Sequence, residues 1–148
     1  MQSSAVISSC RRYRYRLERR WGDGPALGWV MLNPSTADAH VDDPTIRKCV
    51  GFARRMGFSA IVVGNLFAYR ATDPDHLLAT PDPIGPENDA FLQRLAAELP
   101  RIICAWGVVH ARLVPRTVEV KLLVPHAEPL AWTKGGHPRH PLYLPYPK

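Results

Sequence analysis

The chain has 148 residues, 46% hydrophobic and 22% charged, with a formal net charge of +6 and a pI near 9.6. That length predicts a single domain over residues 1–148 with a core of its own, so no staple by disulfide or structural metal is required. The basic balance, weighted towards arginine, favours an anionic partner such as nucleic acid or a nucleotide, and three widely spaced cysteines argue against a disulfide framework or an iron–sulfur cluster.

The opening residues, MQSSAVISSCRRYRYR, hold too short an apolar run for a signal peptide or a membrane span, so the expected compartment is the cytoplasm, with no membrane and no protein partner expected. SCRRYRYRLERRW then alternates with period two. It predicts a strand with Tyr13, Tyr15 and Leu17 on one face and Arg12, Arg14 and Arg16 on the other. The charged face is read either as a solvated edge or as a nucleic-acid footprint. The turn signal GDGP leads into an apolar strand over 26–32, read as the central partner of this antiparallel edge strand. That second strand stops abruptly on Asn33-Pro34-Ser35.

DDPTIRKCVGFARRMG predicts a helix with Asp43 as N-cap, Pro44 at its first position and Gly57 closing it. Its apolar stripe is Ile46, Cys49, Val50 and Ala53, continued by Met56. SAIVVGNLF reads as a buried strand that again ends on an asparagine, Asn65. A loop rich in proline and aspartate follows over 71–86. ENDAFLQRLAAEL predicts a helix with Phe91, Leu92, Leu95 and Leu99 inward, and RIICAWG a third parallel strand. Residues 108–113 read as a short helix broken by Pro115. VEVKLLV is ambiguous between helix and strand, PLAWT reads as a last short strand, and KGGHPRHPLYLP as a loop carrying two histidines. The alternation of strand and helix implies a three-layer α-β-α domain, its central sheet mostly parallel, with an N-terminal antiparallel edge strand. Right-handed crossovers then bring the strand C-termini to one rim, with Asn33, Asn65, Trp106 and the loop of His137 and His140 along it.

No glycine-rich dinucleotide fingerprint, Walker loop or GxSxG elbow occurs. A metal-dependent phosphohydrolase using Asp38, Asp42, Asp43 and the C-terminal histidines is the weakest reading; no metal or cofactor is expected. What remains is a rim of amides and imidazoles. One asparagine can position a water, a second can pair with the donor–acceptor edge of a nucleobase, and a histidine can stabilise charge on a departing group. An aromatic such as Phe52 or Phe67 could stack on the base. These parts suit hydrolysis of an N-glycosidic bond.

The segments MLNPSTAD, VDDPTIRKCVGFARRMGF, VVGNLFAYRATDP, PIGPEND, AWG and GHPRHPLYL resemble the bacterial and phage family called domain of unknown function 1643, over roughly residues 28–144. A more distant likeness is to the uracil-DNA glycosylase superfamily. Its short motif after the first core strand, often Asn-Pro-Gly, corresponds here to Asn33-Pro34-Ser35. GNLFAYRATDP resembles the family's second strand end, with Asn65 at the asparagine that reads the base. CAWG resembles a strand ending in Ala-Leu-Gly. HPLYL, from His140, resembles the loop that stabilises the leaving base, and HPR at His137 is a competing frame. The four cluster cysteines of the iron–sulfur members are absent, and Ser35 replaces the usual glycine.

The resemblance and the residues together imply a uracil-DNA glycosylase-like fold and a glycosylase-like hydrolase of a nucleobase, modified or not, in DNA or a nucleotide. Asn33, His140 and Asp38 are the expected catalytic residues, with Asp38 helping to activate water. Asn65, Pro34, Ser35, Phe52, Phe67 and His137 are expected to bind substrate, and Arg70, Lys134 and Arg139 to meet phosphates. The alternative is a non-catalytic nucleobase- or nucleic-acid-binding module in the same fold.

Overall fold

In the computed structural model, which describes residues 1–147, one five-stranded sheet runs in the order β1-β2-β4-β3-β5. Its strands are β1 (Gln2–Ile7), β2 (Arg14–Arg20), β3 (Ala26–Met31), β4 (Ala60–Asn65) and β5 (Ile102–Cys104). β4, β3 and β5 are mutually parallel, and β1 and β2 extend the sheet antiparallel beyond β4. The sheet is therefore mixed. β2 does not pair with β3, as the turn between them predicts, but with β4, so β3 is free to take β5 on its other side. β1, unmarked in the sequence, forms the outer edge; its mostly exposed, largely small and polar residues carry little periodic signal.

β3 and β4 are almost wholly apolar because both of their faces are covered. On one face lies α1 (Pro44–Arg55), burying Ile46, Cys49, Phe52 and Ala53 against Leu17, Leu27, Trp29 and Val63. Asp43 caps it as expected, its Oδ1 accepting from the Ile46 N–H at 2.9 Å, and Gly57 follows the last turn at φ +86°. On the other face lie α3 (Asn88–Glu98) and α4 (Val114–Leu123), which bury Leu92, Leu95 and Val120 against Val30, Val62 and Ile102. α2 (His76–Ala79) is a single turn within the proline-rich loop, anchored by Leu77.

Three expectations change in the C-terminal half. Residues 111–113 form a 3-10 turn that runs straight into α4, and Pro115 opens that helix rather than breaking one, since the first turn needs no N–H there. The ambiguous VEVKLLV lies within α4 and the turn that follows it. PLAWT is not a strand: the chain beside β5 is Glu128, bonded to Ile102 and Cys104, and Trp132 bridges only to Pro138.

After β3 the chain crosses to α1 on one face; after β5 it crosses to α4 on the other. The loops therefore part at the carboxyl ends of these neighbours and leave a crevice, the usual ligand position of a parallel sheet.

Candidate functional site

That crevice is a cavity of about 610 Å³, and Asn33, Ser35, Asn65, Trp106, Arg139 and His140 all line it. It lies in the size range of small-molecule sites, roughly 300–1,000 Å³. The ends of β3 and β4 form its floor, the segments that follow β3, β4 and β5 and the start of α1 its sides, and the C-terminal loop closes it.

Asn65 is the last residue of β4 and is only 1% exposed. Neither Nδ2 nor Oδ1 has a hydrogen-bond partner among the described residues. A buried carboxamide without partners is costly, so a group that supplies them from the cavity side would be strongly favoured. The backbone behind it is fixed from α3 and α4. Asn88 Nδ2 donates to the Asn65 and Leu66 carbonyls at 3.0 and 3.2 Å, and Arg116 Nε donates to the Leu66 carbonyl at 2.9 Å. Arg116 is itself held by Asp89 at 2.7 Å. Neither Asn88 nor Arg116 was marked by sequence reasoning. PIGPEND and an arginine inside an amphipathic helix look like an ordinary helix start and a solvated face.

Asn33 explains why β3 ends on an amide and a proline. Its Nδ2 donates to the Ala71 carbonyl at 2.8 Å and to the Pro34 carbonyl at 3.0 Å, while the Ala71 N–H returns to Pro34 at 2.9 Å. The loops leaving β3 and β4 are thereby stitched side by side. Pro34 takes part through its carbonyl and is buried away from the cavity lining. With both donors committed, Asn33 Oδ1 is the atom left to accept.

His140 comes from the C-terminal loop, which Gly107 pins by donating its N–H to the Pro138 carbonyl at 2.9 Å. Gly107 sits at φ +75°, a conformation that suits glycine. His140 Nδ1 accepts from the Leu142 N–H at 3.2 Å, so a neutral ring carries its proton on Nε2. Burial pushes its pKa below the usual histidine value, with Asp43 nearby opposing the shift in part.

Arg14 and Asp43 join the wall without having been expected there. Arg14 misleads because β2 is bulged: Val6 faces Arg16 and Ile7 faces Arg14, so Tyr15 has no opposite number. Tyr15 and Arg16 therefore turn towards α3, stacking on Phe91 and pairing with Glu98, while Arg14 joins Leu17 and Arg19 on the α1 face. Arg14 is 2% exposed, and burial lowers its pKa to about 10, with Asp43 opposing. Among the described residues, Asp43 is the one carboxylate on the cavity wall. One of its oxygens caps α1.

Other expected site residues lie elsewhere. Asp38 does not line the cavity. Its Oδ1 accepts the His40 and Val41 N–H groups, both at 2.8 Å, which lowers its pKa and orders a loop. Phe52 is core, wedged between Trp29 and Tyr146, and Phe67 lies in the other core cluster. The aromatic faces at the cavity are Trp106 and the exposed Tyr143 instead. His137 closes a turn with Thr133 and stays outside. Arg70 reaches the Arg11 carbonyl, and Lys134 is exposed at that turn; neither lines the cavity. Arg139 does, while donating to the Tyr143 carbonyl at 3.0 Å. Asp42 pairs with Arg19 at 2.8 Å, and no group of three His, Cys, Asp or Glu poised for a metal occurs among the described residues.

A family model described as a protein of unknown function (DUF1643) matches residues 14–142. The chain belongs to that family. No curated protein and no solved structure matches it. The match takes in every helix and strand from β2 onward and, apart from Tyr143, all the side chains described at the cavity. Among the described residues, no helix of this family member is long and apolar enough to cross a membrane.

Proposed function

We propose that the cavity is the active site of a glycosylase-like hydrolase acting on the N-glycosidic bond of a nucleobase in DNA or a nucleotide, in a uracil-DNA glycosylase-like fold. The observation that carries this reading is Asn65: a buried carboxamide with donor and acceptor both free, in the wall of a cavity that also receives Asn33 and His140. A carboxamide edge is complementary to the adjacent donor and acceptor of a pyrimidine or purine.

In this reading Asn33 Oδ1 holds the attacking water, and Asp43, rather than Asp38, takes its proton through the carboxylate oxygen not used in capping. The water oxygen bonds to the anomeric carbon as the carbon–nitrogen bond breaks. The electron pair leaves on the base, whose charge the Nε2 proton of neutral His140 stabilises. Trp106 or Tyr143 supplies the apolar face. A base drawn from duplex DNA would have to be extruded first, at a cost of a few kcal/mol.

The test is release of free base from uracil-, hypoxanthine- and modified-base oligonucleotides and from the matching nucleotides. Wild type should release base from at least one, and Asn33→Ala should bind that substrate without cleaving it. Full activity in Asn33→Ala would refute the assignment. A second reading, a non-catalytic nucleobase-binding module, is favoured by the stitching of Asn33 to Ala71, which gives that side chain a structural task. Tight binding with no base released would select it.

A further inference from the structure

Three arginines are buried among the described residues: Arg14, Arg19 and Arg116. Arg19 is paired with Asp42 and Arg116 with Asp89. Arg14 forms no ion pair among the described residues. Its Nη1 donates to the Ala37 carbonyl at 2.9 Å, its Nε has no partner, and it lines the cavity. The charged groups around it do not cure this. Arg19 and Arg70 add like charge, and Asp43 is too far for a contact pair and already caps α1. Arg139 adds a second positive charge to the wall. A guanidinium removed from water with no counter-ion is the charged analogue of the unpartnered Asn65 carboxamide.

We infer that the occupant of this cavity carries an oxyanion, a phosphate or a carboxylate, which pairs with Arg14 while its heterocycle meets Asn65. This rests on reading the cavity as a nucleobase site and narrows its substrate class. The ligand is an anionic nucleotide or a carboxylated base, held by both ends, rather than a neutral nucleoside. Guanidinium and oxyanion match geometrically, two N–H groups to two oxygens, which lysine cannot reproduce.

The test is ligand-induced stabilisation and calorimetry on the full chain. Inorganic phosphate, at ionic strength matched with chloride, should raise Tm in wild type and not in Arg14→Gln; Arg14→Lys should respond weakly. Uridine 5′-monophosphate or a pyrimidine carboxylate should bind at least about tenfold tighter than uridine or uracil, the difference of one charge-assisted hydrogen bond. A response to the monophosphate alone assigns the anion to a phosphate, and a response to the carboxylate alone assigns it to the base. If no oxyanion stabilises wild type beyond chloride, or Arg14→Gln keeps the anion preference, the inference falls. These results stand apart from base release. Arg14-dependent anion binding without cleavage would sink the hydrolase reading alone, and cleavage of neutral nucleosides untouched by Arg14→Gln would sink this one alone.

Discussion

Replacing Asn65 by leucine should make the ligand-free protein more stable while destroying its recognition. The folded chain buries both polar atoms of this carboxamide without partners, whereas the unfolded chain hydrates both. Burial of an amide in that condition costs about 1–3 kcal/mol on mutational scales. Leucine has a similar volume and meets apolar neighbours at the strand end, Met31 across β3 and Val63 two residues back. A net gain of about 2 kcal/mol follows, which in a chain of this size lifts Tm by roughly 4–8 °C. Thermal unfolding followed by circular dichroism without ligand measures it, and the Tm shift that a nucleotide adds in wild type should shrink in Asn65→Leu to the shift that inorganic phosphate gives alone. A fall in Tm of several degrees would refute the reasoning, because it would mean that the amide serves the fold rather than a ligand.

Asp43→Asn should separate the capping of α1 from the proposed general-base role of Asp43. Asparagine caps a helix about as well as aspartate, so the urea midpoint should hardly move while base release is lost. Asp38→Asn should leave base release unchanged in the same assay, since Asp38 serves only its loop. His140 titrates below its ordinary value of 6.5, so the unfolded chain takes up its proton first; stability is complete above 6.5 and declines as pH falls through the lowered folded value. The acid limb of base release should therefore lie below 6.5, and His140→Leu should flatten the fall in urea midpoint across that range. Asn88→Ala should cost about 2 kcal/mol in chemical unfolding, from the bonds it withdraws from the Asn65 and Leu66 carbonyls.

The helix α1 was legible to the residue at its start, because Asp43 and Pro44 are local signals that act within one turn. The buried strands were legible for the same kind of reason: AIVVGN and IIC are apolar on both faces. What local pattern could not show was pairing. The swap of β3 for β4 beside β2 is a matter of chain crossing, and no residue in the intervening turn records it. The bulge at Tyr15 mattered most for the site. Strict alternation sends Arg14 outward with Arg12 and Arg16; the extra residue in β2 turns it inward to the cavity. Asn33 and Asn65 share one cavity because the carboxyl ends of parallel strands converge by topology, and His140 reaches it from the C-terminal loop. Phe52 and Phe67 were misjudged because aromatic type says nothing about which face of the sheet a ring lies on. Asp43 is legible as a cap from local sequence, but its place on the cavity wall is set by tertiary packing that no local pattern records.

The central claim is that the Asn65 and Asn33 carboxamides meet one ligand in one cavity. Side-chain amide resonances of both residues, assigned by Asn65→Leu and Asn33→Ala and followed while uridine 5′-monophosphate is titrated in, test it directly. Both pairs should shift together, with the same half-saturation as the calorimetric binding. Saturable binding that leaves both amides where they were would contradict it.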